Sequence, residues 1–343
     1  MIDAAWQPKA LTEFGRREIR WLWRPFIPFS FITTVAGDGE VGKTTAVYDI
    51  LARLTTGDPM PRIGDEPELL HQPGSIVILC KEDDPGYMIR PRLEAAGADM
   101  DHVHMVVVER RGSRKDQGVE LLGRLDNTLV DLERIICQLG DVRAVLADPI
   151  TDFAGDISLY KEDQVRRLLG PIAQLASKYG FAWVNILHLI KDGSKKPRQR
   201  ILGSVGLVNI SRSVIMVGKS AVTGRRFLMM EKANLWPERK AVAFEIGSYS
   251  GQPVVDWEGD YEEVDLEAVL AGKSAHVTKQ QQAVLFLQKW LAEGAMSSKD
   301  VEAAAEDIGI SFATFKAAKR EAGVVAKRLR GIWWWQIERP GGL

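Results

Sequence analysis

The sequence has little cysteine and no long apolar segment, and its positive and negative charges nearly balance. Its two cysteines, Cys80 and Cys137, lack the spacing of a metal site and lie in apolar stretches, so we expect a reduced, cytoplasmic protein. No apolar run approaches the roughly 20 residues of a membrane-spanning helix, so we expect no membrane partner. The net charge of −1 excludes a uniformly basic coat, and any polyanionic partner must therefore bind local patches.

A glycine-rich loop between a predicted strand and a predicted helix is the strongest signal in the chain. The apolar run Phe31–Val35 leads into Gly37-Asp38-Gly39-Glu40-Val41-Gly42-Lys43-Thr44, and helix-forming residues follow. This matches the P-loop pattern G-x-x-x-x-G-K-[ST] in the structural context that the pattern requires. Backbone N–H groups of such a loop bind a phosphate chain at the positive end of a helix. We expect Lys43 to bind the β- and γ-phosphates, Thr44 to bind Mg²⁺ and Thr45 to add a second hydroxyl, so the sequence predicts binding of a nucleoside triphosphate such as ATP.

Polar side chains follow three further apolar runs that are typical of buried parallel strands. The runs are residues 75–79, 142–147 and 181–187, and the side chains that follow are Glu82, Asp148 and His188. Ligands of open α/β sheets bind at this carboxyl edge. We expect Asp148 to hold Mg²⁺ and Glu82 to polarise the water that attacks the γ-phosphate. Capping of the next helix, most clearly by Asp84, is the alternative for the acidic residues, and His188 is either a γ-phosphate sensor or a structural histidine.

A basic loop follows His188 directly. Its cations are Lys191, Lys195, Lys196, Arg198 and Arg200. Such runs are usually only solvated, but a flexible basic loop beside a nucleotide site is also suited to a phosphate backbone, because that binding depends on counterion release. We therefore interpret this loop as a DNA contact.

The remaining sequence predicts a sheet extension and a second, smaller domain. Strand-like runs at residues 213–217, 226–232 and 241–246 follow one another without helices, which predicts antiparallel pairing. An acidic stretch then leads to a pattern of helix, helix, turn, helix and β-ribbon, which is typical of a winged helix-turn-helix. We divide the chain into a lead-in (1–28), a nucleotide-binding domain (29–255), an acidic linker (256–276) and a winged-helix-like domain (277–343).

The winged-helix-like segment carries cations that indicate DNA or a protein partner. Those assigned to DNA binding are Lys316, Lys319 and Arg320. A replication-origin or initiator partner is the alternative for this domain. The pattern leaves open whether Trp333, Trp334 and Trp335 stack on bases or fill a small core.

These motifs together resemble the RecA/DnaB-like P-loop ATPases, and specifically the RepA-type hexameric replicative helicases of plasmids, phages and integrated elements. The resemblance covers residues 21–255 and rests on AGDGEVGKTT, ILCKEDDPGYMIRPRLEAAGAD, VLADPI and WVNILHLIKDGSKKPRQRILGSVGLVNISRSVIMV. The sequence departs from the family pattern at Ser30, where a glycine is common. The resemblance implies an α/β fold with a RecA-like, mainly parallel central sheet plus the antiparallel extension.

The resemblance also implies roles for individual residues. Glu82 would activate water, Asp148 would position Mg²⁺, and His188 would couple the state of the γ-phosphate to the DNA loops. Arg212 would reach the nucleotide of a neighbouring subunit, and Lys232 lies where related helicases place another cation that acts on a neighbour's nucleotide. This implies a homo-oligomeric, hexameric ring that moves on single-stranded DNA. A filament-forming recombinase-like ATPase and an ATP-switched loader or DNA-binding regulator are the alternatives.

Overall fold

A computed structural model describes residues 8–108, 120–121, 125–189, 200–201, 205–220, 224–237, 240–261, 264, 269, 279–291, 294–307, 312–329 and 332–337. The chain forms two compact units. The first consists of Met1–Lys219 and Arg225–Leu266, and the second of Ser220–Gly224 and Glu267–Leu343. Within the described ranges, no helix has the length and apolar character needed to cross a membrane.

The first unit alternates strands and helices in its first half and contains consecutive strands in its second half. Its strands are β1 (Trp21–Trp23), β2 (Ile27–Pro28), β3 (Ile32–Gly37), β4 (Ser75–Cys80), β5 (Val103–Met105), β6 (Val107–Val108), β7 (Glu120–Leu121), β8 (Val142–Asp148), β9 (Ala182–His188), β10 (Ser213–Lys219), β11 (Arg226–Ala233), β12 (Ala241–Tyr249) and β13 (Gln252–Tyr261). Its α-helices are α1 (Lys43–Thr56), α2 (Arg90–Ala95), α3 (Leu125–Leu139), α4 (Glu162–Tyr179) and α5 (Val205–Ile210). Single 3-10 turns occur at Leu11–Glu13, Met100–His102 and Ile150–Phe153, and a π-helical turn at Pro85–Ile89.

A nine-stranded sheet of mostly parallel strands forms the centre of this unit. The strand order is β13-β12-β11-β10-β3-β9-β8-β4-β5. Strands β10, β3, β9, β8, β4 and β5 pair in parallel, whereas β10 to β13 pair with one another antiparallel. The predicted fold class, a mainly parallel RecA-like sheet with an antiparallel extension, is confirmed.

The burial of the central strands explains why their sequences are almost continuously apolar. Every residue of β3 and β4 is buried, and β8 and β9 are buried except at one position each. Strands covered by helices on both faces have no polar face, so they lack the alternation of a half-exposed strand. Two of the helices end where a glycine adopts a left-handed conformation, namely α1 at Gly57 and α4 at Gly180.

Strand β13 differs from the prediction, because residues 256–261 had been placed in an acidic linker. The alternation is present in the sequence: Val255 and Trp257 pack against the core, whereas Asp256 and Glu258 are exposed. The indole N–H of Trp257 also donates to the Asp49 carboxylate of α1 at 2.7 Å. The outward-facing acids made this strand look like a solvated stretch.

The lead-in segment packs onto the first unit through its aromatic residues. Trp23 is buried, its ring centroid lies 4.6 Å from that of Phe26 and 4.8 Å from that of Trp257, and its N–H donates to the Pro61 carbonyl at 3.0 Å. An aromatic that is enclosed in this way has a packing role.

Within its described residues, the second unit contains three helices and a hairpin, together with a short strand between the first two helices that the sequence does not predict. Its elements are α6 (Lys279–Trp290), β14 (Met296–Ser297), α7 (Ser298–Asp307), α8 (Phe312–Glu321), β15 (Val324–Leu329) and β16 (Ile332–Ile337). The three strands form an antiparallel sheet in the order β14-β16-β15. A separate core includes Leu287, Val301, Phe315 and Trp335. Interpretation of this unit as a winged helix remains a prediction.

Candidate active site

The loop between β3 and α1 has a backbone that requires glycine at two positions. A Cβ atom on Gly37 would lie 2.4 Å from the Val217 carbonyl oxygen. Gly42 has a φ of 97°, and a Cβ there would lie 2.5 Å from Cδ1 of Ile246. Gly39 differs, because its Cβ would meet nothing within 4 Å. Gly37 is therefore required by its close approach to β10, and Gly42 by its left-handed backbone conformation.

Lys43 lies inside this loop and holds a positive charge at its centre. Its side chain is 4% exposed, and its Nζ donates to the carbonyls of Gly37 at 3.1 Å and Asp38 at 2.6 Å. Burial lowers the pKa of Lys43, and the carboxylates of Asp148, Asp38 and Glu82 oppose this effect. An ammonium group enclosed by loop carbonyls is placed to bind phosphate oxygens.

Thr44 and Asp148 meet at the carboxyl edge of the sheet. The Thr44 hydroxyl donates to Asp148 Oδ2 at 2.8 Å. Burial, together with the nearby Glu82 charge and against the Thr44 hydrogen bond and the Lys43 charge, raises the pKa of Asp148 to about 6. A hydroxyl beside a carboxylate fits Mg²⁺, which binds hard oxygen ligands together with water and phosphate. Thr45 follows in the first turn of α1 and is half-buried.

The three acids after β4 have different surroundings. Asp84 Oδ1 accepts from the backbone N–H groups of Gly86 at 2.8 Å and Tyr87 at 2.7 Å, so it caps the next helical turn as predicted. Asp83 forms an ion pair with Arg92 at 2.7 Å. Glu82 is exposed, and its side chain forms no hydrogen bond or ion pair with any residue in the described ranges. Of the three, Glu82 retains a carboxylate that can act on a bound substrate.

His188 ends β9 directly beside the first loop glycine, with which it is paired in register. Its Nδ1 lies 3.5 Å from Nζ of Lys43. Partial burial and the Lys43 charge lower the pKa of His188, whereas Glu82 and Asp152 raise it. The imidazole therefore lies beside the Lys43 ammonium, and it is largely neutral at pH 7.

Two residues at this edge make contacts that were not predicted from the sequence. Lys81 Nζ donates to the Asp152 carbonyl at 2.8 Å and lies 4.6 Å from the Phe153 ring centroid, which links the end of β4 to the turn after β8. Arg200 is 7% exposed, and its Nη2 pairs with Asp38 Oδ1 at 2.8 Å. The guanidinium of Arg200 thus contacts the P-loop, and the DNA contact that the sequence predicts for Arg200 stays a prediction.

The other predicted DNA contacts are placed differently. Lys191, Lys195, Lys196 and Arg198 lie outside the described residues. Lys316 and Arg320 are exposed on α8 of the second unit. Lys319 Nζ lies 3.4 Å from the Trp335 ring centroid, and burial lowers the pKa of Lys319. This lysine is therefore engaged with the core of its own unit.

Arg212 and Lys232 do not reach the site of their own chain. Arg212 is exposed just before β10, and its backbone N–H donates to the Ile32 carbonyl at the start of β3. The P-loop begins at Gly37, five residues after Ile32 on β3. At roughly 3.3 Å per residue, the backbone of Arg212 at the amino edge of the sheet therefore lies about 16 Å from the P-loop at the carboxyl edge. Lys232 Nζ donates to the carbonyls of Val208, Asn209 and Ser211 at 2.6, 3.2 and 2.9 Å. Lys232 thus caps the carboxyl end of α5.

A protein-family model described as AAA domain matches residues 4–194, which is more than half of the 343-residue chain. The chain belongs to the AAA domain family. The match includes the P-loop, Glu82, Asp148 and His188, so the AAA domain contains the whole cluster at the carboxyl edge. No curated protein matches the chain. Membership in the AAA domain family and the geometry of the P-loop together identify a nucleotide-binding ATPase of the P-loop class.

Proposed function

We propose that this protein is a cytoplasmic, ATP-hydrolysing motor that moves along single-stranded DNA as a hexameric ring, in the manner of a replicative helicase. The proposal rests on the placement of Arg212. This exposed arginine lies at the amino edge of the sheet, about 16 Å from the P-loop of its own chain. A cation at that edge can act on a nucleotide only when the nucleotide belongs to a neighbouring subunit. Head-to-tail contacts of this kind close into a ring or continue as a filament.

The residues within one subunit have separate roles in hydrolysis. The N–H groups of the loop and Lys43 bind the phosphates, and Thr44 with Asp148 would hold Mg²⁺. The cation neutralises phosphate charge when it is bound. Glu82 accepts a proton from the attacking water, and the neutral His188 contacts the γ-phosphate beside Lys43. An arginine from a neighbour then adds a further positive charge, which in related reactions accelerates turnover roughly 10³–10⁵-fold.

The first experiment measures ATP hydrolysis with and without single-stranded DNA at two salt concentrations. Stimulation that fades with salt supports the motor, because phosphate contacts release counterions. Lys43→Ala should abolish hydrolysis. Glu82→Gln should retain ATP binding and lose turnover, whereas the matched control Glu68→Gln, which changes an exposed glutamate away from the site, should behave as the unaltered protein.

Subunit mixing tests the trans role of Arg212. Arg212→Ala should bind ATP without hydrolysing it. Lys43→Ala should be inactive because its own P-loop lacks the lysine that binds the phosphates. A mixture of the two should recover part of the activity, because a Lys43→Ala subunit supplies its arginine to the intact P-loop of the other variant. Normal turnover by Arg212→Ala alone, or a mixture that stays inactive although mixed oligomers form, refutes the assignment.

A nucleotide-switched loader or DNA-binding regulator is the second candidate. The separate core of the second unit favours this candidate. A unit with its own core can bind a partner by itself, and ATP would then only control where this unit is held. Slow basal hydrolysis that DNA does not stimulate would support this candidate. Electron microscopy separates the ring from a recombinase-like filament, since rings are closed and filaments are open.

A further inference from the structure

We propose that the β15–β16 hairpin binds unpaired bases of single-stranded DNA, with Trp333 as the stacking surface and Arg328, on the same face, as the phosphate contact. This inference deepens the proposed function, because it names a further contact for the same polymer. It concerns the second unit alone, and no residue of the P-loop cluster takes part.

The three tryptophans of β16 have three different environments. Trp335 is 3% exposed and lies 5.7 Å from Phe315, ring centroid to ring centroid. Trp334 is half-buried, whereas Trp333 is 50% exposed. Trp333 and Trp335 share a face of the strand, since side chains alternate with a period of two. The aromatic face that closes the core at Trp335 therefore continues outward to Trp333, which is half exposed to solvent.

The strand register places a cation beside each of the outer tryptophans. Arg328 pairs with Trp333 and Lys327 pairs with Trp334, so the two pairs lie on opposite faces of the hairpin. The Arg328 guanidinium carbon lies 6.0 Å from the Trp333 ring centroid. Both cations are exposed. An open indole face flanked by positive charge has the chemistry that binds a base and its adjoining phosphate.

This arrangement favours a single strand over a duplex or a protein. Bases stack on an aromatic side chain through their flat faces, and these faces are covered in a double helix. The cations Arg328, Lys327, Lys316 and Arg320 are exposed on the same unit, so its charge is complementary to a phosphate backbone. Lys319, for which the sequence predicts a DNA contact, lies against the Trp335 ring, whereas Lys316 and Arg320 on the same helix are exposed.

The test is binding of the full-length protein to a fluorescent oligo(dT), measured by anisotropy without nucleotide at about 50 and 200 mM salt. Trp333→Ala should weaken binding about tenfold with an unchanged salt dependence, because stacking releases no counterion. Arg328→Ala should weaken binding and reduce the slope of log K against log salt by about one. Trp333→Phe should keep most of the affinity.

An abasic oligonucleotide of equal length is the decisive control. Trp333→Ala and the unaltered protein should bind it equally, because it has no base to stack. Trp290→Ala is the matched variant, since Trp290 is a 37% exposed tryptophan of the same unit that stacks on Phe286, and it should bind oligo(dT) normally. Thermal unfolding of each variant checks that the unit is folded.

Several results would overturn the proposal. One is equal affinity of Trp333→Ala and Trp290→Ala for oligo(dT). Another is a loss of affinity of Trp333→Ala for the abasic strand that equals its loss for oligo(dT). A change in self-association of Trp333→Ala with unchanged DNA binding would assign the face to a protein contact instead. Basal ATP hydrolysis should be normal in Trp333→Ala, so loss of hairpin binding and loss of ATPase function can be told apart.

Discussion

Replacing Asp148 with asparagine should make the metal-free protein more stable at neutral pH, although this carboxylate is central to the candidate site. Burial raises its pKa from 3.8 to about 6. One pKa unit corresponds to about 1.4 kcal/mol, so the ionised carboxylate costs the fold up to about 3 kcal/mol. Asparagine has no charge and keeps an oxygen that can accept the Thr44 hydrogen bond. We expect a gain of about 1–3 kcal/mol in the free energy of unfolding.

The sign of the pH dependence follows from the raised pKa. A folded state that binds the proton more tightly than the unfolded chain loses stability as pH rises from 3.8 to about 6, and the loss is constant above that range. The advantage of Asp148→Asn should therefore be absent below about pH 4 and complete above about pH 7.

Thermal unfolding in EDTA across this pH range measures the effect, at roughly 2–4 °C per kcal/mol for a domain of about 150–250 residues. Asp101→Asn, which changes an exposed carboxylate, is the matched control and should shift stability little at any pH. Addition of Mg²⁺ and ATP should stabilise the unaltered protein more than Asp148→Asn, because the cation offsets the buried charge. A variant that is less stable at pH 7, or one whose gain is independent of pH, would refute the reasoning.

Three further changes test individual contacts. Gly37→Ala should lose ATP binding in calorimetric titration, because its Cβ would lie 2.4 Å from the Val217 carbonyl oxygen, whereas Gly39→Ala should keep it; equal binding by both would contradict the loop geometry. Lys232→Met should lower the free energy of unfolding in urea by about 1–3 kcal/mol, since three carbonyls lose their donor. If Lys232 acted only on the nucleotide of a neighbouring subunit, the variant would lose ATP turnover while its unfolding in urea stayed unchanged. Trp257→Phe should cost about 1.5–3 kcal/mol in the same assay, because a carboxylate of α1 loses its indole donor, and an unchanged midpoint would show that this contact is unimportant.

The sequence predicted the cluster at the carboxyl edge because parallel strands end on the same side of a sheet. Apolar runs located the strands, so the side chains that follow them, Asp148 and His188, had to lie near the P-loop. The Thr44–Asp148 hydrogen bond follows from that topology together with a motif whose spacing is fixed. These features depend on local sequence patterns, so a single sequence is enough to predict them.

Other contacts depend on long-range geometry that no local pattern encodes. Arg200 lies in a basic run that looks solvated, and only the folded chain brings it to Asp38, 162 positions away in sequence. The resemblance implies a role for Lys232 at a neighbour's nucleotide, which stays a prediction; within the chain its ammonium donates to the carbonyls at the end of α5. The alternation of β16 predicts that Trp333 and Trp335 share a face, but the extent of the helices beneath decides which of them is covered.

The position of β10 in the sheet determines how small an autonomous ATP-binding fragment can be. The strand that carries the P-loop, β3, lies between β9 and β10, and the family match ends at residue 194, before β10 begins. Truncation there would turn β3 into an unprotected sheet edge with free N–H and C=O groups, which is a template for aggregation. It would also remove Ile246, against which Gly42 packs. Expression of a well-behaved ATP-binding piece therefore requires the chain at least as far as Ile246.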